Sequence, residues 1–196
     1  MLVLQSVTLE AGPVRLLPLR AEHAPALEHA GSLEALHRIR VTWVPGPGEG
    51  REYVERALSM QAAGTRWPWV IEWIPTGELV GSTSFHDIVP AIDRLEIGHT
   101  WVAKPWQRTV VNTQCKLLLM QHAFEVLGAA LVGWRTGAEN LASQAALERL
   151  GAHKDGVLRH HFARRDGFVR DTVMYSMAAA EWPEAKRRLT ASLLSR

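Results

Sequence analysis

Residues 95–136 constrain the fold more than any other part of this chain. The run LEIGHTWV at 95–102 reads as a strand, a turn carrying Lys104 and Arg108 follows, 113–127 has helical spacing, and 129–136 reads as a second strand. A strand, helix and strand in succession close into a crossover that leaves the two strands parallel. The segments before it follow a different rule. Runs at 69–74, 78–89 and 95–102 are joined only by Pro75-Thr76-Gly77 and by 90–93, so three consecutive strands pair antiparallel. The chain is therefore expected to be α+β: a mixed, mostly antiparallel twisted sheet with one parallel β-α-β crossover and helices on both faces. A doubly wound parallel sheet is excluded.

The remaining elements fit around that frame. A first strand is expected at 14–19, helices at 21–30 and 32–40, a Gly/Pro loop at 42–50 and a helix at 52–63. Asn140 is a good N-cap for a helix at 141–150, with Gly151 just beyond its end. Strands at 153–162 and 172–178 flank the turn Arg165-Asp166-Gly167, and a helix at 181–194 tolerates Pro183 in its first turn. No repeat or linker interrupts residues 1–196, so one domain is expected.

Bulk properties exclude several functions. The 196 residues carry a net charge of +2 with no basic block, so charge gives no nucleic-acid footprint. Cys115 is the only cysteine, which rules out an intrachain disulfide and suits a reducing cytoplasm. The first residues lack the pattern of a secretory signal, and no apolar run is long enough to span a bilayer. His160 and His161 point to opposite faces of a strand and have no companions at zinc spacing, so no metal is expected. No base partner for Cys115 as a nucleophile is evident.

The turn at 104–113 carries the first chemical signal. A loop between a strand and a helix N-terminus aims several N–H groups one way, and the helix dipole adds to them. Lys104 and Arg108 contribute positive charge, so this turn is a candidate phosphate site.

The order of elements, with EIGHTW at 96–101, WQRT at 106–109, NT at 112–113 and HAF at 122–124, resembles the GNAT superfamily of N-acetyltransferases. The second half resembles the RimJ/RimL-type branch. It contains N-x-x-S at 140–143, A-x-x-x-L-G-A at 146–152, G-x-L-R-H at 156–160, RDT at 170–172 and EWP at 181–183. The resemblance implies an acetyl-CoA-dependent transferase acting on a primary amine, either a protein N-terminus or a small molecule. It suggests a homodimer and no metal. It implies that coenzyme A lies between strand 95–102 and strand 129–136, contacted by Trp101, Val102, Gln107, Arg108, Thr109, Val110, Val111, Asn112 and Thr113, with Asn140 bonding the pantetheine arm. The family loop runs Gln/Arg-x-x-Gly-x-Gly/Ala. Here Val110 stands at the first glycine position and Asn112 at the last. A valine there is harmless if its backbone is helical and costly if it needs positive φ. That departure motivates an alternative, a non-catalytic acyl-CoA-binding or regulatory protein.

Acetyl transfer needs a neutral amine, hence a base, and a proton for the leaving thiolate. Glu96 is the first candidate base, sharing a strand face with Gly98 and Thr100 by the period of two. Glu72 is the second. His99 is the third and is expected on the opposite face from Glu96. Ser143, one turn into helix 141–150, is the candidate proton donor, since that helix has no tyrosine.

Overall fold

The computed structural model describes residues 2–38 and 42–194. Among these residues, eight strands form one sheet: β1 Leu9–Ala11, β2 Val14–Pro18, β3 Arg66–Trp73, β4 Glu78–Val89, β5 Arg94–Val102, β6 Leu131–Gly137, β7 His153–Ala163 and β8 Val169–Ala178. Five α-helices accompany them: α1 Ala24–Ser32, α2 Gly50–Ala62, α3 Val110–Gln121, α4 Leu141–Leu150 and α5 Trp182–Leu194. The strand order is β1-β2-β3-β4-β5-β6-β8-β7. Of these described strands, only β5 and β6 pair in parallel, joined by α3, as the crossover rule requires.

Alternation along the strands sorts side chains into two cores. Leu16, Trp69, Ile71, Phe85, Leu95, Ile97, Val132, Trp134, Val173 and Tyr175 pack with residues of α3, α4 and α5. Val70, Trp101 and Leu19 pack on the other face against Leu27, Tyr53, Val54 and Ala57 of α1 and α2. That second face also carries the polar row Ser84, His86, Glu96 and Gly98, because these positions alternate with the core residues Phe85, Leu95 and Ile97.

Several expectations need correction. β1 was not anticipated: it is a three-residue strand turned onto β2 at Gly12, whose φ is +55°. The helix expected at 32–40 is instead a run of 3₁₀ turns, Leu33–Arg38, in which Glu34 and Ala35 have left-handed φ of 48° and 54°. Residues 39 and 40 of that expectation lie outside the described residues. α3 starts three residues earlier than its periodicity suggests. Thr109, in extended conformation, supplies the cap, its Oγ1 accepting from Val111 N at 3.3 Å. The β-branched pair Val110-Val111 concealed that start. The last turn of α3 widens into a π-type stretch, His122–Val126, before Gly128 at φ +69°.

Gly81 on β4 lies against the Trp101 carbonyl oxygen, which an added Cβ would approach to 2.2 Å. Backbone cannot retreat there without parting β4 from β5. Gly81→Ala should therefore cost about 1–3 kcal/mol. Gly156→Ala on β7, where an added Cβ meets nothing within 4 Å, should leave stability within about 0.5 kcal/mol of the parent. Urea denaturation of both variants checks this.

Candidate active site

β5 and β6 stay together for only three pairs, Arg94 with Leu131, Leu95 with Val132 and Glu96 with Gly133. Beyond them β6 continues along β8 from Trp134 to Gly137, while β5 stays with β4. The strands part like a V, and Glu96 sits at its apex. Its carboxylate is fully buried and accepts from Arg94 Nη2 at 2.5 Å and from Arg135 Nε and Nη2 at 2.6 and 2.8 Å. Asp87 Oδ2 accepts from the same two arginines, at 3.1 Å from Arg94 Nη1 and 2.6 Å from Arg135 Nη2. Gly133 makes room for this cluster, since a Cβ there would lie 2.9 Å from Glu96 Cγ. The bond to Glu96 holds the Arg135 guanidinium above its ordinary pKa despite partial burial.

Glu96 thus lies on the face with Gly98, as its strand position implies. Both its oxygens, however, are taken by guanidinium donors and neither reaches solvent, so direct contact with an acceptor amine does not fit this geometry. Glu72 is tied to Arg15 on β2, with 3.0 Å between Oε2 and Nη1. It is six residues along β3 from Arg66, roughly 20 Å at strand rise. The expectation that His99 opposes Glu96 is corrected by a bulge. Gly98 and Trp101 pair with Ser84 and Ser82, so His99 and Thr100 together face Thr83, and His99 takes φ +50°. The extra residue breaks the alternation and brings the His99 ring to 5.0 Å from that of His86.

His86 is the residue that sequence reasoning missed. It pairs across the strands with Glu96, and its Nε2 lies 3.8 Å from Glu96 Oε2. A cleft of about 300 Å³ opens beside it, lined by Met60, Thr65, His86, Asp87 and Arg135. Burial first, and the positive field of Arg135 next, push the His86 imidazole down to about 4. Desolvation and then the charge of Arg66 lower His99 as well, although part of its side chain still meets solvent. Both rings are therefore neutral at pH 7. The signal for His86 was present: a hairpin turning at 90–93 sets residue 86 opposite 96.

Beyond the C-terminal end of β5, the turn leads into the N-terminus of α3. Arg108 takes the left-handed φ, +62°, and Val110 is the first helical residue. Valine is compatible with that conformation, so of the two outcomes open at the family's glycine position the backbone adopts the helical one. The first-turn N–H groups of α3 lack intrahelical partners. Gln107 Nε2 donates to Val102 O at 2.9 Å and ties the loop to the end of β5. Trp101 packs its ring with Tyr53 on the α1 and α2 face, its Nε1 donating to Tyr53 Oη at 3.0 Å. The side chain of Val111 is in the core, whereas Asn112 and Thr113 are half-buried on the first turn.

Across the opening, Asn140 caps α4, its Oδ1 accepting from Ser143 N at 3.2 Å. That leaves the amide Nδ2 as a donor for a ligand carbonyl. Ser143 is half-buried in the first turn of α4. Cys115 is buried and pushed up to about 12, which removes it as a nucleophile.

A sheet split between two parallel strands beside a helix N-terminus is thus the scaffold of the site. Residues 14–153 match the acetyltransferase (GNAT) domain family, and the chain belongs to that family of N-acetyltransferases. Over 138 residues it is 30% identical to the N-acetyltransferase YoaA of Bacillus subtilis (strain 168), itself uncharacterized, covering 66% of this chain and 76% of YoaA. A solved structure from T. thermophilus, assigned as an acetyltransferase, is 36% identical with a TM-score of 0.85, covering 98% of this chain and 100% of that one. Mycobacterium smegmatis RimJ, solved in complex with CoA-disulfide, shares the fold at 24% identity and a TM-score of 0.78, with 95% of each chain covered.

The neutral imidazole makes stability depend on pH. A histidine at about 4 in the folded chain and 6.5 when unfolded binds its proton first in the unfolded state. Its contribution to stability is complete above pH 6.5 and falls as pH drops toward 4. Urea midpoints between pH 7 and 4 should decline, and His86→Gln should flatten that decline by its share, leaving the parts due to His99, His122 and His23, each also lowered by burial. The helical turn at Val110 bears on binding in the same way. Val110→Gly should weaken coenzyme A binding, since glycine loosens a helical position by roughly 0.5–1 kcal/mol and recovers no contact. Calorimetric titration of both proteins with coenzyme A checks this, and tighter binding by the variant would show that the valine obstructs the site.

Proposed function

We propose that the protein transfers an acetyl group from acetyl-CoA to a primary amine, a protein N-terminus or a small molecule, as a GNAT enzyme of RimJ/RimL type. One observation carries the reading: the strands part at Glu96 with an anion-type helix terminus at one end of the gap and a cleft lined by a neutral imidazole at the other. The N–H groups of the first turn of α3 that the Thr109 cap does not engage, with Arg108, would hold the pyrophosphate, and Asn140 Nδ2 would hold the pantetheine arm. Acetyl-CoA supplies the activated thioester. The CoA bound to the M. smegmatis RimJ structure supports the choice of that ligand, as does N-x-x-S at 140–143.

The chain's own groups then divide the work. The bulge at 99–100 frees backbone N–H groups from the ladder, and these face charge developing on a carbonyl oxygen. His86 takes the proton from the incoming amine, in place of the direct role expected of Glu96. Glu96, 3.8 Å from His86 Nε2, is an anion beside a proton carried on that ring, and it also fixes Arg94 and Arg135. Ser143 relays a proton from solvent to the departing thiolate, and His86 gives the proton it took back to solvent. Val110 at a helical position removes the reason to suspect a degenerate loop, so the non-catalytic alternative loses its motive. We place the enzyme in the cytoplasm as a homodimer, a reading supported by the reduced, buried Cys115 and the open strand edge of β7.

Millimolar acetyl-CoA should raise the melting temperature by mass action. Amine-dependent release of free thiol should accompany it. His86→Gln should lower kcat by roughly 10²–10⁴-fold and keep the melting shift. Unchanged turnover in that variant would move proton acceptance to His99 or solvent, and no melting shift with acetyl-CoA would overturn the reading.

A further inference from the structure

Arg66, the first residue of β3, is only 3% exposed. Its Nε donates to Ser84 Oγ at 2.8 Å, and its guanidinium lies 5.8 Å from the centre of the Tyr53 ring. Its Nη2 is buried and makes no hydrogen bond among the described residues. The carboxylates of this face, Asp87 and Glu96, are committed to Arg94 and Arg135, and no ion pair to Arg66 is formed among the described residues. Three guanidinium groups, at 66, 94 and 135, thus meet two carboxylates. On the far side of the same face, β8 adds Arg170, 9% exposed with Nε unbonded, and the unbonded Thr172 Oγ1.

A buried cation without an anion is costly, and a fold retains one where an anion arrives to complete it. The position of Arg66 says what must arrive. It pairs across the strands with His86, and after burial itself its charge is among those that keep His86 and His99 neutral. An anion bound by Arg66 therefore lies beside the group that meets the amine. Building on the acetyl-transfer reading, we propose that the acceptor is a small amine bearing a carboxylate close to its nitrogen, as in an amino acid, and that Arg66 binds that carboxylate. With only its Nε hydrogen-bonded among the described residues, the guanidinium can meet one carboxylate through its Nη groups, whereas a phosphate, with three oxygens and up to two charges, would demand more donors.

The test uses the full chain and matched amines: L-amino acids, their amides, and short peptides with free N-termini, compared at equal free-amine concentration by thiol release from acetyl-CoA. Wild type should favour the acids over the amides by at least about 10-fold in kcat/KM, the worth of one charge-assisted hydrogen bond. Arg66→Met should lose about 10- to 100-fold on the acids relative to the amides measured with the same variant, and abolish the melting shift given by N-acetylated amino acids. Arg66→Lys should keep part of the preference. Equal use of amides or peptides by wild type overturns the proposal, as does a preference that survives in Arg66→Met; the wild-type comparison decides even if a variant fails to fold. A melting shift with acetyl-CoA is read in the same samples. If it persists while no acid is acetylated, the acid class falls and acetyl-CoA binding stands; if it is absent, the transfer reading falls as well.

Discussion

The carboxylate of Glu96 decides the shape of this molecule where shape matters for chemistry. It is fully buried at the last pair joining β5 to β6 and is held by arginines from both strands. A buried carboxylate left without these partners would cost about 3–5 kcal/mol, so the strands remain pinned at this point. Past it, no further ladder pair joins β5 to β6 among the described residues. The bulge at His99 turns β5 toward β4, and β6 follows β8. The gap is thus a consequence of where hydrogen bonding stops, and the stop is fixed by an ion cluster.

A sheet opened in this way offers two routes to one place. A long ligand can enter from the α3 end, with its anionic part at a helix N-terminus and its reactive end near the bulge. A second ligand can approach from the face covered by α1 and α2, where the cleft beside His86 lies. The neutral imidazoles follow from the same arrangement. Burial first, and then the positive field of Arg135 at His86 and of Arg66 at His99, keeps protons off these rings. A neutral ring is the form that can accept the proton an amine nitrogen sheds as it bonds to a carbonyl carbon.

Much of this was legible in the sequence, for identifiable reasons. The bounds 78–89 and 141–150 were read correctly because hydrophobic alternation and an Asn cap are local signals, and the single parallel crossover followed from strand and helix order. The failures came where local rules compete. Val110-Val111 reads as extended by propensity, yet the Thr109 cap starts a helix there. A period of two placed His99 on the wrong face because one residue with positive φ resets the alternation. Glu96 was put on the right face, but its engagement by Arg94 and Arg135 depends on Arg135, which joins it only once the crossover is closed. The unbonded edge of Arg66 lies further still from local sequence, since it is defined by which partners the fold denies it.

The central claim is that a ligand occupies the gap below Glu96, and amide hydrogen exchange with and without acetyl-CoA tests it most directly. Exchange should slow at 97–102, 109–113 and 134–140, the two arms of the V and the helix terminus, and remain unchanged on β1, β2 and the edge strand β7. Protection confined to other segments, or none at saturating acetyl-CoA, would contradict the account.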